Sequence, residues 1–105
     1  MENTLSSRLL HKGMTFDFFV DDVELPNGHV TQRDIVRHPG AVAIILLLDD
    51  GRVALVRQFR YATGKTLLEI PAGTLECGEL PLECAARELR EETGYEANEL
   101  EPLLR

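Results

Sequence analysis

The sequence predicts an α/β (α+β) domain in which several strands come first and one amphipathic helix follows. Three observations predict this. Apolar and polar residues alternate, or run in blocks of strand length, from residue 5 to residue 70. Turn-forming residues punctuate those blocks at Asn27-Gly28, Pro39-Gly40 and Asp49-Asp50-Gly51. From Pro81 the apolar spacing changes to three and four residues and stops at Gly94.

The strand elements follow in order. Residues from about Leu5 to Lys12 read as a short first strand. Thr15 to Val23 is aromatic-rich with partial alternation and reads as a second. Leu25-Pro26-Asn27-Gly28 follows, and Asn-Gly is a strong hairpin signal. His29 to Arg37 is then the returning strand of an N-terminal antiparallel hairpin. His38-Pro39-Gly40 breaks the pattern. Ala41 to Leu48 is a continuous apolar run, expected to be one strand buried on both faces. After the turn at Asp49-Asp50-Gly51, Arg52 to Phe59 reads as a strand with Val53, Leu55 and Arg57 on one face. Thr66 to Ile70 is a short strand ended by Pro71, and Pro71 to Gly78 is expected to be loop.

The helix is expected from Leu80 or Pro81 to Thr93. Pro81 suits the first helical position, Glu79 and Glu83 lie near the positive end of the dipole, and Gly94 suits a left-handed C-terminal cap. Leu82, Ala85, Ala86, Leu89 and Thr93 form one stripe, expected to pack on the sheet. Leu100 to Leu104 reads as the start of one more strand.

At 105 residues the chain is at most one domain. Its 44% hydrophobic and 28% charged residues are an ordinary globular balance. The net charge of −7 argues against nucleic acid as a partner, which needs a basic face. An acidic chain that handles phosphates must supply positive charge locally, through placed arginines or a divalent cation. Cys77 and Cys84 are too few and too close to be a disulfide framework, and are read as reduced core or loop residues in a cytoplasmic protein. His11, His29 and His38 lack metal-like spacing and are read as structural. No signal core precedes Lys12, and the run Ala41–Leu48 is far shorter than a membrane span, so no membrane partner is expected.

The helix carries a carboxylate cluster beside its apolar stripe. Glu88 and Glu92 are neighbours one turn apart, with Glu91 beside them. Such pairs repel by a few tenths of a kcal/mol, and the dipole disfavours anions in the last turn. A solvated acidic face balanced by Arg87 and Arg90 is the ordinary explanation. A metal site is the sharper one. Two unit charges about 4 Å apart interact by about 4 kcal/mol at an effective dielectric near 20. That outweighs the helix penalties, and glutamate oxygens suit Mg²⁺ or Mn²⁺.

The wider spacing decides between these. Gly73, five residues, Glu79, seven residues, Arg87-Glu88-Leu89, one residue, Glu91-Glu92, one residue, Gly94-Tyr95 resembles the Nudix signature. With usage near one in fifteen for each of the fixed types, chance agreement is on the order of 10⁻⁶. Tyr95 stands where an aliphatic residue is usual. The resemblance implies a Nudix-type mixed sheet with a loop–helix–loop that binds divalent metal and a diphosphate. Glu88 and Glu92 would be the principal ligands. Glu91 would be a further ligand or would orient water, and the backbone carbonyl of Ala72 would add a ligand. Arg87 would be structural, paired with Glu79 to pin the loop to the helix. Gly73 and Gly94 would permit backbone turns at each end.

The flanks Arg33-Asp-Ile-Val-Arg-His-Pro-Gly-Ala-Val-Ala, Val56-Arg57-Gln58-Phe59-Arg60 and Leu68-Glu69-Ile70-Pro71-Ala72-Gly73 look like ADP-ribose pyrophosphatases and their sugar-nucleotide relatives. By that resemblance Arg33 and Arg60 would contact phosphate or lie near it, Arg57 would be a further substrate contact, and Glu69 would line the site. Residues 1–38 would be a strand and dimerisation element of a homodimer, and residues 73–95 the Nudix box. The family fold normally continues past this helix. Residues 1–105 are therefore expected to be a single partial Nudix domain that lacks the C-terminal part of the fold. The implied function is metal-dependent hydrolysis of the diphosphate of ADP-ribose or a similar nucleoside diphosphate sugar, giving AMP and a sugar phosphate. The alternative is a catalytically incomplete Nudix-derived nucleotide-binding or dimerisation module.

Overall fold

Alternation in the first forty residues builds a three-stranded antiparallel meander. In the computed structural model, which describes residues 1–105, it comprises β1 (Asn3–Lys12), β2 (Asp17–Glu24) and β3 (Val30–Arg37), in that spatial order. It belongs to one compact unit, Met1–Pro39; the remainder, Gly40–Arg105, forms a second. The β2–β3 hairpin runs in unbroken register from Asp17 opposite Arg37 to Glu24 opposite Val30. Its turn explains that register. Gly28 N–H donates to the Leu25 carbonyl at 2.9 Å and Leu25 N–H to the His29 carbonyl at 2.8 Å. Pro26 and Asn27 are the central residues, and Gly28 takes the left-handed conformation at φ 86°. On β2, Val23 and Asp21 are buried. Asp21 accepts from the Ser7 hydroxyl, and Arg37 lies over the Phe19 ring, 4.0 Å from its centroid.

The second unit is built from short strands. β4 (Ala41–Ala43) pairs with β9 (Ala72–Thr74), β5 (Leu46–Leu47) with β6 (Val53–Ala54), and β7 (Val56–Arg60) with β8 (Lys65–Glu69). All of these pairings are antiparallel. One helix, α1 (Pro81–Thr93), follows. The core is the contact between α1 and the β4–β5 segment: Ile44, Ala85 and Leu89, with Val42, Leu46 and Leu100 packed against them. No helix is long and apolar enough to cross a membrane.

Several expectations are corrected here. Ala41–Leu48 is not one strand buried on both faces. It breaks at Ile44-Ile45, and only one face is covered: Ile44 is 6% exposed, whereas Ile45 and Leu47 are 58% and 67% exposed. The helix lies against Val42, Ile44 and Leu46, so burial alternates with the strand period of two. Arg52–Phe59 is likewise interrupted, at Leu55. Residues 71–78 are not all loop, because Ala72–Thr74 pair with β4. On the helix, Leu82 is exposed, and the fully buried Cys84 takes its place beside Ala85 and Leu89. Leu100 begins no strand and instead packs onto the core.

Candidate functional site

The ends of α1 are set locally, and this fixes which side chains face β9. Pro81 occupies the first helical position, and the Glu83 carboxylate accepts from the Leu80 N–H at 3.3 Å. At the other end Gly94, at φ 75°, donates its N–H to the Arg90 carbonyl at 2.9 Å. Between them Cys84, Ala85 and Leu89 are buried. Arg87 and Glu88, on the adjoining flank, are partly buried, at 19% and 13% side-chain exposure.

Arg87 is the hub of this flank. Its Nε donates to Glu79 Oε2 at 2.8 Å and its Nη2 to Glu79 Oε1 at 2.9 Å, a bidentate pair. Nη1 donates to Glu88 Oε1 at 2.8 Å and to Glu91 Oε2 at 3.1 Å. Nη2 also reaches the Thr74 carbonyl at 3.2 Å. Glu79 in turn accepts from the Glu76 N–H at 3.1 Å, so one ion pair ties the loop, β9 and the helix together. The Arg87 guanidinium holds the Glu79 carboxyl down to about 2, against the opposing effect of burial. Burial pushes the Cys84 thiol up to about 11, with Glu79 adding to the rise.

Gly73 and Ala72 meet the carboxylates directly. A Cβ on Gly73 would stand 2.0 Å from Glu88 Cδ and 2.3 Å from Glu88 Cγ. Gly73 has no positive φ and lies within β9. Its role is clearance for Glu88 rather than the backbone turn expected of it; Gly94 does make its turn. Ala72 N–H donates to Glu92 Oε2 at 3.3 Å. The ladder accounts for this. Ile44 N–H bonds to the Pro71 carbonyl at 2.8 Å, and bonded residues alternate along an antiparallel strand. The Ala72 amide therefore leaves β9 on the opposite edge, and its carbonyl leaves on that edge too. Glu92 and the Ala72 carbonyl thus lie on one side of β9, the donors a hard cation requires.

As placed, the three helix carboxylates do not converge. Glu88 and Glu91 are drawn onto Arg87 and Glu92 onto Ala72, and no three acidic, histidine or thiol side chains stand together as a metal cluster. The chemistry of the donor set still fits a divalent cation. It is all oxygen and carries formal negative charge, and the small residue at Gly73 lets Glu88 approach β9 closely.

Arg60 and Glu69 come together. Arg60 Nε donates to both Glu69 oxygens at 3.0 Å, and Nη2 also donates to Oε1. The Glu69 pairing raises the Arg60 pKa, with a smaller pull from Glu92, and the Arg60 pairing lowers that of Glu69. Arg57 does not join them. Val56 lies opposite Glu69 and Arg60 opposite Lys65, so Arg60 and Glu69 share one face of the β7–β8 hairpin. Arg57 faces the other side with Phe59, and its side chain makes no ion pair. Arg33, in the first unit, is held by Glu2 through bonds of 2.8 and 3.1 Å.

Sequence reasoning missed the Thr74 carbonyl, the Ala72 N–H, Glu76 and the contact of Cys84 with Arg87. Glu76 lies 3.7 Å from Arg87, and Cys84 Sγ lies 3.6 Å from it. The three-residue spacing of Cys84 and Arg87 along one helix face was the available signal.

A family model described as the NUDIX domain matches residues 37–105. The chain is 50% identical over 99 residues to an ADP-ribose pyrophosphatase of Bacillus subtilis (strain 168), covering 94% of this chain and 54% of that protein. It is 48% identical over 103 residues to a methanol dehydrogenase activator of Bacillus methanolicus, covering 98% and 56%. Among solved structures, the crystal structure of an ADP compounds hydrolase matches with a TM-score of 0.79 at 30% identity, over 93% of this chain and 54% of that one. The chain spans about half the length of the curated relatives it matches.

Proposed function

This chain belongs to the Nudix family, and on that premise we propose that it serves metal-dependent hydrolysis of the diphosphate linkage of ADP-ribose or a similar nucleoside diphosphate sugar, giving AMP and a sugar phosphate. The observation that carries the proposal is the contact between α1 and β9. Glu79 and Arg87 pin the loop, Gly73 clears the way for Glu88, and Glu92 meets Ala72. The name of the Bacillus subtilis relative and that of the structural neighbour support the substrate class. The Bacillus methanolicus relative bears a different name at similar identity, so the site residues carry more weight than any one name.

In this proposal Glu88, Glu92 and the Ala72 carbonyl hold Mg²⁺ or Mn²⁺, and Glu91 is a further ligand or orients water. When bound, the cation neutralises diphosphate charge and activates water for attack on phosphorus. Arg87 is a positioning residue, releasing Glu88 and Glu91 toward the site while keeping Glu79. Arg60 binds phosphate oxygens, which its planar fork suits. Glu69 lines the same site. The proposal also includes a homodimer built on residues 1–38 and a cytoplasmic location, the latter in keeping with two free thiols.

The test is release of AMP from ADP-ribose with and without magnesium. Glu92→Gln should lower turnover by roughly 100-fold or more, beyond the cost of losing a mere supporting partner of a metal ligand. Equal turnover in the variant would remove Glu92 from the site. A nucleotide-binding or dimerisation module is the second reading, favoured by the outward pull of Arg87 on Glu88 and Glu91. Retained magnesium binding with no turnover in the parent chain would favour this module or fragment reading.

A further inference from the structure

Glu69 occupies the Nε–Nη2 edge of Arg60, one of the two edges on which a guanidinium binds phosphate bidentately, while Nη1 makes no hydrogen bond. The two side chains start from opposite ends of the β7–β8 hairpin, since Arg60 pairs with Lys65 and Glu69 with Val56. They reach toward each other over Gln58 and Leu67, on the half-buried face. The pair is open to solvent from one side: the Arg60 side chain is 50% exposed and that of Glu69 26%. Glu92 also acts on Arg60, so this fork lies near the end of α1 that meets Ala72.

Resting on the proposed diphosphate chemistry, we infer that Glu69 is an internal counter-ion, which neutralises Arg60 and blocks its Nε–Nη2 edge until a diphosphate displaces it, and so biases which anions bind there. An intramolecular carboxylate competes at high effective concentration. An anion with little more charge than a carboxylate, such as inorganic phosphate near neutral pH, cannot match it, because it gains little in charge and must also lose translational freedom. A diphosphate carries more charge on several oxygens and can take both donors at once. Glu69 thereby becomes a specificity residue: it costs affinity for every anion and disfavours the weak ones. The exchange breaks no covalent bond and moves no proton; one carboxylate leaves the guanidinium and phosphate oxygens replace it.

The experiment is calorimetric titration with inorganic pyrophosphate, without magnesium, of the parent chain, Glu69→Gln, Glu69→Ala and the Glu69→Gln/Arg60→Gln double variant. Both Glu69 variants should bind pyrophosphate about five-fold tighter than the parent, the scale expected of a half-exposed ion pair. They should also acquire binding of inorganic phosphate, and the double variant should lose both gains. The Arg60 Nε–H resonance should shift on pyrophosphate addition in the parent. In free Glu69→Gln it should already lie away from its parent position. Equal or weaker pyrophosphate binding in both Glu69 variants overturns the inference, as does a gain that survives in the double variant. Neither outcome touches magnesium-dependent AMP release, which judges the proposed function separately.

Discussion

Arg87 spends its donors on Glu79, Glu88, Glu91 and the Thr74 carbonyl. It therefore does two jobs: it braces the loop and it restrains two of the three helix carboxylates. The bracing has a pH signature. The Glu79 carboxyl sits at about 2 in the folded chain, against an ordinary 4.5. Its folded value is depressed, so its contribution to stability is fully present above pH 4.5 and is lost as pH falls toward 2. Acid unfolding of the parent should be steepest across that window. Arg87→Gln should flatten it, because Glu79 would then titrate near its unfolded value. Parallel acid-unfolding curves for the two proteins, followed by circular dichroism, would remove Arg87 as the cause. The Glu79–Arg87 pairing was legible only through the resemblance to the Nudix signature; the further contact of Arg87 with the Thr74 carbonyl was not, since it is made by a backbone atom that no side-chain motif encodes.

At the scale of elements, local signals did best. The ends of α1 follow from Pro81 and Gly94, and the β2–β3 hairpin follows from Leu25–Gly28, because caps and turns depend on few neighbours. The Ala41–Leu48 run was misread because apolar composition does not say whether one or two faces will be covered; only the packing of Ala85 and Leu89 on Ile44 decides that. β9 was missed because Ala72-Gly73-Thr74 shows no apolar alternation. The β7–β8 hairpin bears on the site directly. Its alternation puts Arg60 on the face with Glu69 and Arg57 on the reverse. Arg57→Ala should leave pyrophosphate affinity within about two-fold of the parent, consistent with a surface change, whereas Arg60→Ala should weaken it several-fold. Equal losses from both, measured by the same titration, would mean that the two arginines act from one face.

The whole molecule carries a net charge of −7, and β1 is an exposed ten-residue edge strand. If two copies associate through residues 1–38, as proposed, their like charges oppose each other over a range set by salt, about 10 Å at 0.1 M. The dimer fraction in sedimentation should therefore rise with ionic strength. A monomeric mass at every salt concentration and loading would rule the homodimer out. One further consequence concerns the two thiols. Cys77 is exposed, whereas Cys84 is fully buried between α1 and the Gly73–Thr74 backbone, with its proton held up to about 11. At neutral pH an alkylating reagent should consume Cys77 promptly and reach Cys84 only when the helix lifts away. The slow phase of labelling would then clock how often the acidic flank lets go of its strand, and comparable rates at both sulfurs would show that the seam is loose.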